Sequence, residues 1–169
     1  MKLFDATVYS ARRKKLMEKM GKGVLLFPGA VDQPFNYKAN TYPFGQDSTF
    51  LYFFGISQPG LAGVIDADKG ISVLYGHDAD IEEVVWMGPQ PAMAEKAQWI
   101  GAEEHAAIDT LGQALNGRDV HYLPPYHADR ILYLSDLLKK NVEEIRQGHS
   151  KELVLAVIDQ RLYKSYDEL

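Results

Sequence analysis

Metal binding, acid–base chemistry and nucleophilic catalysis each need particular residue types at particular spacings, and the chain holds fragments of several. Its five histidines, His77, His105, His121, His127 and His149, stand far apart. No two have the i, i+4 spacing with which one helix face grips a metal. His121 alternates with apolar neighbours and reads as a half-buried or surface strand residue. Carboxylate pairs occur at Glu82-Glu83, Glu103-Glu104 and Glu143-Glu144. Acid–base or two-metal work needs carboxylates that converge, and adjacent side chains on a helix or strand diverge. The pairs therefore read as solvated charges. "DADKG" from Asp66 opens like a calcium loop, but its glycine comes too early and His77 takes the place of the closing bidentate Glu. A hairpin turn is the better reading. "FPGAVDQPF" from Phe27 lacks the glycine spacing and the Lys-Ser/Thr ending of a phosphate loop. None of Ser10, Ser48, Ser57, Ser72, Ser135, Ser150 and Ser165 lies in a Gly-x-Ser-x-Gly context. Without cysteine there is no thiolate nucleophile, thiolate metal site or disulfide framework. These residues make no catalytic constellation.

Aromatic residues are the unusual material. "NTYPFGQDSTFLYFFG" from Asn40 crowds rings around a Gln-Asp-Ser triplet. Asp47-Ser48 can cap a short helix that carries Phe50, Tyr52, Phe53 and Phe54 around most of its circumference. A helix apolar all round is buried or sits at an interface, and a core helix beneath a sheet is the plainer of the two. Trp86 follows the polar "GHDADIEE" and precedes a Gly-Pro turn, so its ring is free to meet a partner or ligand.

The elements that would position these residues alternate in type. Thr7 to Met20 is a helix candidate, with Asp5 or Thr7 to cap it and Tyr9, Leu16 and Met20 on one face. Arg12, Arg13, Lys14, Lys15 and Lys19 cover the rest and read as a solvated basic face. Gly23 to Phe27 reads as a buried strand. Ala62 to Asp66 and Ile71 to Tyr75 form a hairpin across "ADKG". Pro91 to Trp99 and Ile108 to Leu115 are helical, the second stopped by Asn116-Gly117. "DVHYLP" from Asp119 is a strand. Ala128 to Lys139 is an amphipathic helix with Ile131, Leu134 and Leu138 inward, and Ser150 to Leu169 is helical in part. That order predicts an α/β domain, a mixed sheet with helices on its faces.

Length and composition set the outer limits. With 169 residues, 46% of them hydrophobic, the chain has room for one domain with a sizeable core. A formal charge of −5 leaves no basic excess to neutralise a phosphate backbone, so nucleic acid is not an expected partner. The charged amino terminus lacks the apolar run of a signal peptide, and no run reaches the roughly 18 apolar residues of a membrane span. No membrane partner and a cytoplasmic location are the expectations.

Four stretches, in order, carry a family resemblance. "YPFGQDSTFLYFFG", then Pro59 and the "GVID" strand, resembles the signature of the amino-terminal domain of the aminopeptidase P, prolidase and creatinase family. "YSARRKKLMEKM" with "GVLLFPG" is similar to the family's opening helix and first strand. "IEEVVWMG" followed by "GAEE" is similar to its Trp-x-Gly segment. "VIDQRLYKSYDEL" is similar to the junction that leads into its catalytic domain. The aminopeptidase P branch fits best.

The resemblance implies a three-layer, ribonuclease H-like domain over residues 1–150, with 151–169 as a junction. Such a domain is non-catalytic. It packs on the catalytic domain of the same protein, supports dimer or tetramer assembly, and narrows access for peptides with proline second. The catalytic domain it implies is a pita-bread fold that binds two divalent metals, usually manganese, through two Asp, one His and two Glu, and cleaves the Xaa-Pro bond. None of those ligands maps onto this chain, so this segment is expected to bind no cofactor. The resemblance gives Trp86 a substrate contact, in some members in a neighbouring subunit, and makes Tyr42 and Phe44 interface candidates. Gly45 departs from the family's usual Arg and removes a cation that could hold a small carboxylate. Ala39 and Asn40 depart where an Asp or Ser is common. Two other readings stay open: a peptidase-like protein-binding module, and a nuclease using Asp66 and Asp109, which rests on fold analogy alone.

Overall fold

A computed structural model describes residues 4–37 and 40–162. Ala39 and the "YKSYDEL" part of the expected junction lie outside the described residues. The opening helix α1, Ala6–Met20, is followed by strand β1, Val24–Pro28. A long excursion leads to α2, Ser48–Phe54, then to the hairpin of β2, Ala62–Asp66, and β3, Ile71–Gly76. Next come α3, Ile81–Met87, α4, Met93–Ile100, and β4, Glu104–Ala107. A 3-10 turn, Ile108–Thr110, runs into α5, Leu111–Leu115, and then β5, Val120–Tyr122. The described chain closes with α6, Ala128–Leu138, α7, Val142–Gln147, and α8, Lys151–Leu162.

The strands form one mixed sheet in the order β4-β3-β2-β1-β5. β1, β2 and β3 are antiparallel neighbours, with Val24 opposite Asp66 and Ala62 opposite Tyr75. β5 joins β1, and β4 joins β3, in parallel. Both sheet faces are covered, which is why β1 reads as an unbroken apolar run. Leu25, Phe27, Ile65 and Leu74 meet a layer that includes Tyr9 and Leu16 of α1, the rings of α2, Ile100 of α4 and Leu153 of α8. Val24, Leu26, Val64 and Val73 meet Leu111 and Leu115 of α5, Leu134 of α6 and Ile145 of α7. The result is the expected three-layer α/β domain. α2 is the core helix anticipated from its aromatics: Phe50, Phe53 and Phe54 are fully buried, and the Asp47 carboxylate accepts from the Thr49 and Phe50 amides at 2.9 and 2.8 Å.

The basic face of α1 is not all solvated. Arg12 and Arg13 are buried, Arg13 to 1% exposure. The Arg13 guanidinium donates to the Phe53 carbonyl at 2.8 Å, to the Ile100 and Gly101 carbonyls at 2.8 and 2.6 Å, and to Ser72 Oγ at 2.8 Å. Those carbonyls end α2 and α4, where helical acceptors lack partners and the helix dipoles are negative. One cation thus closes two helices. Burial lowers the Arg13 pKa to about 10, partly offset by the nearby Glu103. Glu103 is exposed, as its solvated-charge reading expects, but it is also held by specific bonds. It accepts from the Ser72 amide and hydroxyl at 2.7 and 2.6 Å. Desolvation alone would raise its pKa, but those bonds and Arg13 outweigh it and hold the carboxyl below its usual range.

Candidate functional site

The register puts several chain excursions at one edge of the sheet. Pro28 ends β1 opposite Ala62, Ala62 lies opposite Tyr75 near the end of β3, and Gly76 ends β3 opposite Ala107 of β4. The carboxyl ends of β1, β3, β4 and β5 therefore share an edge, which in α/β sheets is where ligands are met. The 29–47 excursion leaves β1 there, and α3 follows β3 there.

The 29–47 excursion is pinned by Gln46 and Arg130. Gln46 Oε1 accepts from the Ala30 amide at 2.5 Å, and its Nε2 donates to the Gln58 carbonyl at 2.8 Å. Arg130 of α6 donates to the Pro28 and Gly29 carbonyls at 2.7 and 2.9 Å. Further out, Pro34 and Thr41 form an isolated bridge, and the Phe35 and Tyr42 rings stack at 3.9 Å. Tyr42 is exposed and Phe44 half-buried. Both line a groove of about 510 Å³ that reaches Gly45, His127 and Arg130. A Cβ built on Gly45 would meet nothing within 4 Å, so the glycine is not required by crowding. A mostly apolar cavity of about 350 Å³ adjoins this groove, sharing Val31, Asp129 and Arg130 and continuing to Leu61, His77 and Tyr133.

Trp86 lies in the last turn of α3, a helix that the polar "GHDADIEE" reading did not anticipate. The Gly88 amide closes that turn on the Val84 carbonyl at 2.9 Å, with Gly88 at φ 79°. Trp86 is 81% exposed, and Ile81 and Val85 beside it are exposed too. None of the three enters either core cluster. Trp86 thus lies on the excursion that follows β3, and Tyr42 and Phe44 on the one that follows β1, both of which leave the sheet at that edge.

The carboxylates suggested for a nuclease do not fit a metal site. Asp66 is buried and held by both terminal guanidinium nitrogens of Arg118, and Asp109 is exposed on the 3-10 turn. Arg118 also donates to Asp68 at 2.8 Å. Desolvation alone would raise the Asp66 pKa, but the Arg118 and Lys69 hydrogen bonds and their charges hold it below the ordinary carboxylate range. Among the described residues no group of three or more His, Asp or Glu could hold a metal ion. Among them, also, no helix is long and apolar enough to cross a membrane.

A family profile described as "Aminopeptidase P, N-terminal domain" matches residues 9–122. The chain belongs to the aminopeptidase P amino-terminal domain family. Among curated proteins, this aminopeptidase P-type domain is 26% identical to an Xaa-Pro aminopeptidase of Escherichia coli K12, an alignment that covers 95% of this chain and 40% of that protein. It is 30% identical to a human Xaa-Pro dipeptidase over 66% of this chain and 24% of that protein. Among solved structures, the Pseudomonas aeruginosa aminopeptidase PepP superposes with a TM-score of 0.78 at 26% identity, covering 99% of this chain and 41% of that one. An E. coli aminopeptidase P in a low-pH form gives 0.77 at 25% identity, covering 98% and 41%. The chain spans about two fifths or less of the curated relatives it matches.

Sequence reasoning missed Arg130, which lines both the groove and the adjoining cavity, and His77, which lines the cavity alone. Arg130 lies on α6, and its carbonyl partners are about a hundred positions away. His77 stood as an isolated histidine beyond a strand end. Neither carries a local signal.

Proposed function

We propose that this chain is the non-catalytic amino-terminal domain of a proline-specific metallopeptidase, an Xaa-Pro aminopeptidase or dipeptidase, that supports oligomer assembly and brings Trp86 to the substrate path. The parent protein hydrolyses the Xaa-Pro bond at peptide amino termini, with its two divalent metals, manganese by resemblance, held in the catalytic portion. The observation that carries the reading is the exposed Trp86 indole, set outside both cores on the helix that follows β3, at the edge where the excursion of Tyr42 and Phe44 leaves β1. A large ring with few rotatable bonds supplies contact area to a proline or apolar residue at low entropic cost. Gly45 stands where the family resemblance implies an Arg, and so removes one of the cations that could hold a small carboxylate beside Arg130.

The test is turnover of Xaa-Pro peptides by the full-length protein. Trp86→Ala should lower kcat/KM by about three- to tenfold, the range of one aromatic contact, and Trp86→Phe should recover most of it. The 169-residue chain alone should hydrolyse nothing. Unchanged kcat/KM in Trp86→Ala would remove the gating role. A full-length protein that lacks downstream metal ligands and captures a folded partner would favour the binding-module reading instead.

A further inference from the structure

Helix α8 carries two apolar stripes, and the core uses one of them. Leu153, Ala156, Val157 and Gln160 are buried against the α1 and α2 layer. At 100° per residue, Leu155, Ile158 and Leu162 fall on the opposite side of the helix. They are 63%, 47% and 72% exposed. Scattered single apolar residues on a surface need no explanation, but three at i, i+3 and i+7 form a continuous stripe that marks a contact.

The helix cannot roll to hide this stripe. Gln160 donates to the Arg12 carbonyl at 2.8 Å, and Tyr52 donates to the Gln160 carbonyl at 3.2 Å. Arg161 donates to Thr49 Oγ1 at 2.8 Å, and Lys19 pairs with Asp159 at 2.5 Å. At its start, Ser150 Oγ accepts from the Leu153 amide at 3.2 Å. The outward stripe is held in a fixed direction.

We infer that Leu155, Ile158 and Leu162 of α8 form the seat on which the catalytic portion of the same polypeptide docks. The inference rests on the functional reading above. α8 is the last described element, and the match leaves about three fifths of each E. coli relative's length uncovered. Three side chains on one helix are a small part of the about 800 Å² per partner that a stable interface between separate molecules takes. They suit a covalently linked partner, whose effective concentration is on the order of millimolar. A second copy of this chain would need a larger patch than the stripe supplies.

Hydroxyl-radical footprinting read by mass spectrometry, run on the 169-residue chain and on the full-length protein, tests this directly. Leu155, Ile158 and Leu162 should be modified at least fivefold more slowly in the full-length protein. The triple variant Leu155→Ser/Ile158→Ser/Leu162→Ser should leave the Tm of the 169-residue chain unchanged and speed proteolytic separation of the two portions of the full-length protein about tenfold. Equal modification in both forms overturns the inference. So does protection in the 169-residue chain together with a dimer in sedimentation, which would make a second copy the occupant. Xaa-Pro hydrolysis measured on the same preparations keeps the two proposals apart: protection without hydrolysis leaves the docking seat and sinks the enzymatic reading, while hydrolysis without protection does the reverse.

Discussion

Arg13 shows how much one side chain can do that its neighbours in sequence do not announce. It stands in the run "ARRKKL", where Lys14 and Lys15 beside it are exposed, yet its guanidinium fork reaches the carboxyl ends of two helices at once. Only a planar donor set can satisfy Phe53, Ile100, Gly101 and Ser72 together. Replacing Arg13 with Met would leave those acceptors buried and Glu103 without its cation, and we expect a loss of about 3–5 kcal/mol in urea unfolding. Arg13→Lys should recover a minor part, since a single ammonium cannot span both helix ends. A loss below about 1 kcal/mol would mean that water replaces the guanidinium. The sequence hid this residue because its partners lie 40 to 88 positions away. By contrast Asp47 was legible, because a cap bonds to amides two and three residues on.

At the scale of elements, what could be read was what local chemistry dictates. The β2–β3 hairpin follows from its turn residues, with the Gly70 amide closing on the Asp66 carbonyl at 2.8 Å and Gly70 at φ 70°. α2 follows from a cap and a ring-rich run. β4 could not be read, because "EHAA" has little strand propensity and exists through its pairing with β3. α7 had a signal that charge counting obscured: Asn141 and Glu144 form a reciprocal capping box, with bonds of 2.8 and 3.0 Å. The seating of α2 against the sheet also depends on a residue that is absent as a side chain. A Cβ on Gly63 of β2 would lie 2.1 Å from the Phe54 ring, which is fully buried and cannot retreat. Gly63→Ala should therefore cost about 1–3 kcal/mol by overpacking, measured by thermal or urea unfolding, although alanine is the better residue for most backbones. A variant as stable as the parent would show that α2 can shift off the sheet.

The whole molecule divides its work between the two ends of the sheet. The carboxyl-end edge is where the excursions bearing Trp86 and Tyr42 leave the sheet, and the Tyr42 excursion lines the groove beside Arg130. The opposite end is tied internally: Arg118, just before β5, bonds Asp66 at the end of β2 and Asp68 in the hairpin turn, while the Asp68 carboxylate accepts from the Gly23 amide at 2.8 Å. Closing that end fixes the hairpin to β1 and β5. The tie has a pH signature. The Asp66 carboxyl is held below its ordinary range, so in acid the unfolded chain binds the proton more readily than the folded one. Its contribution is full above the ordinary aspartate value of about 3.9 and is lost as pH falls through the lower folded value. Arg118→Ala removes the partner of a buried carboxylate. Because Arg118 is itself partly exposed, the cost at pH 7 should be about 2–3 kcal/mol, below that of a fully buried pair. Without the guanidinium, Asp66 regains a proton at higher pH, and the gap between parent and variant should close as pH falls from 5 to 3. Urea unfolding at those pH values measures it. A gap that stays constant would mean that Arg118 acts through packing of its aliphatic stem, and that the tie at this end of the sheet is not electrostatic.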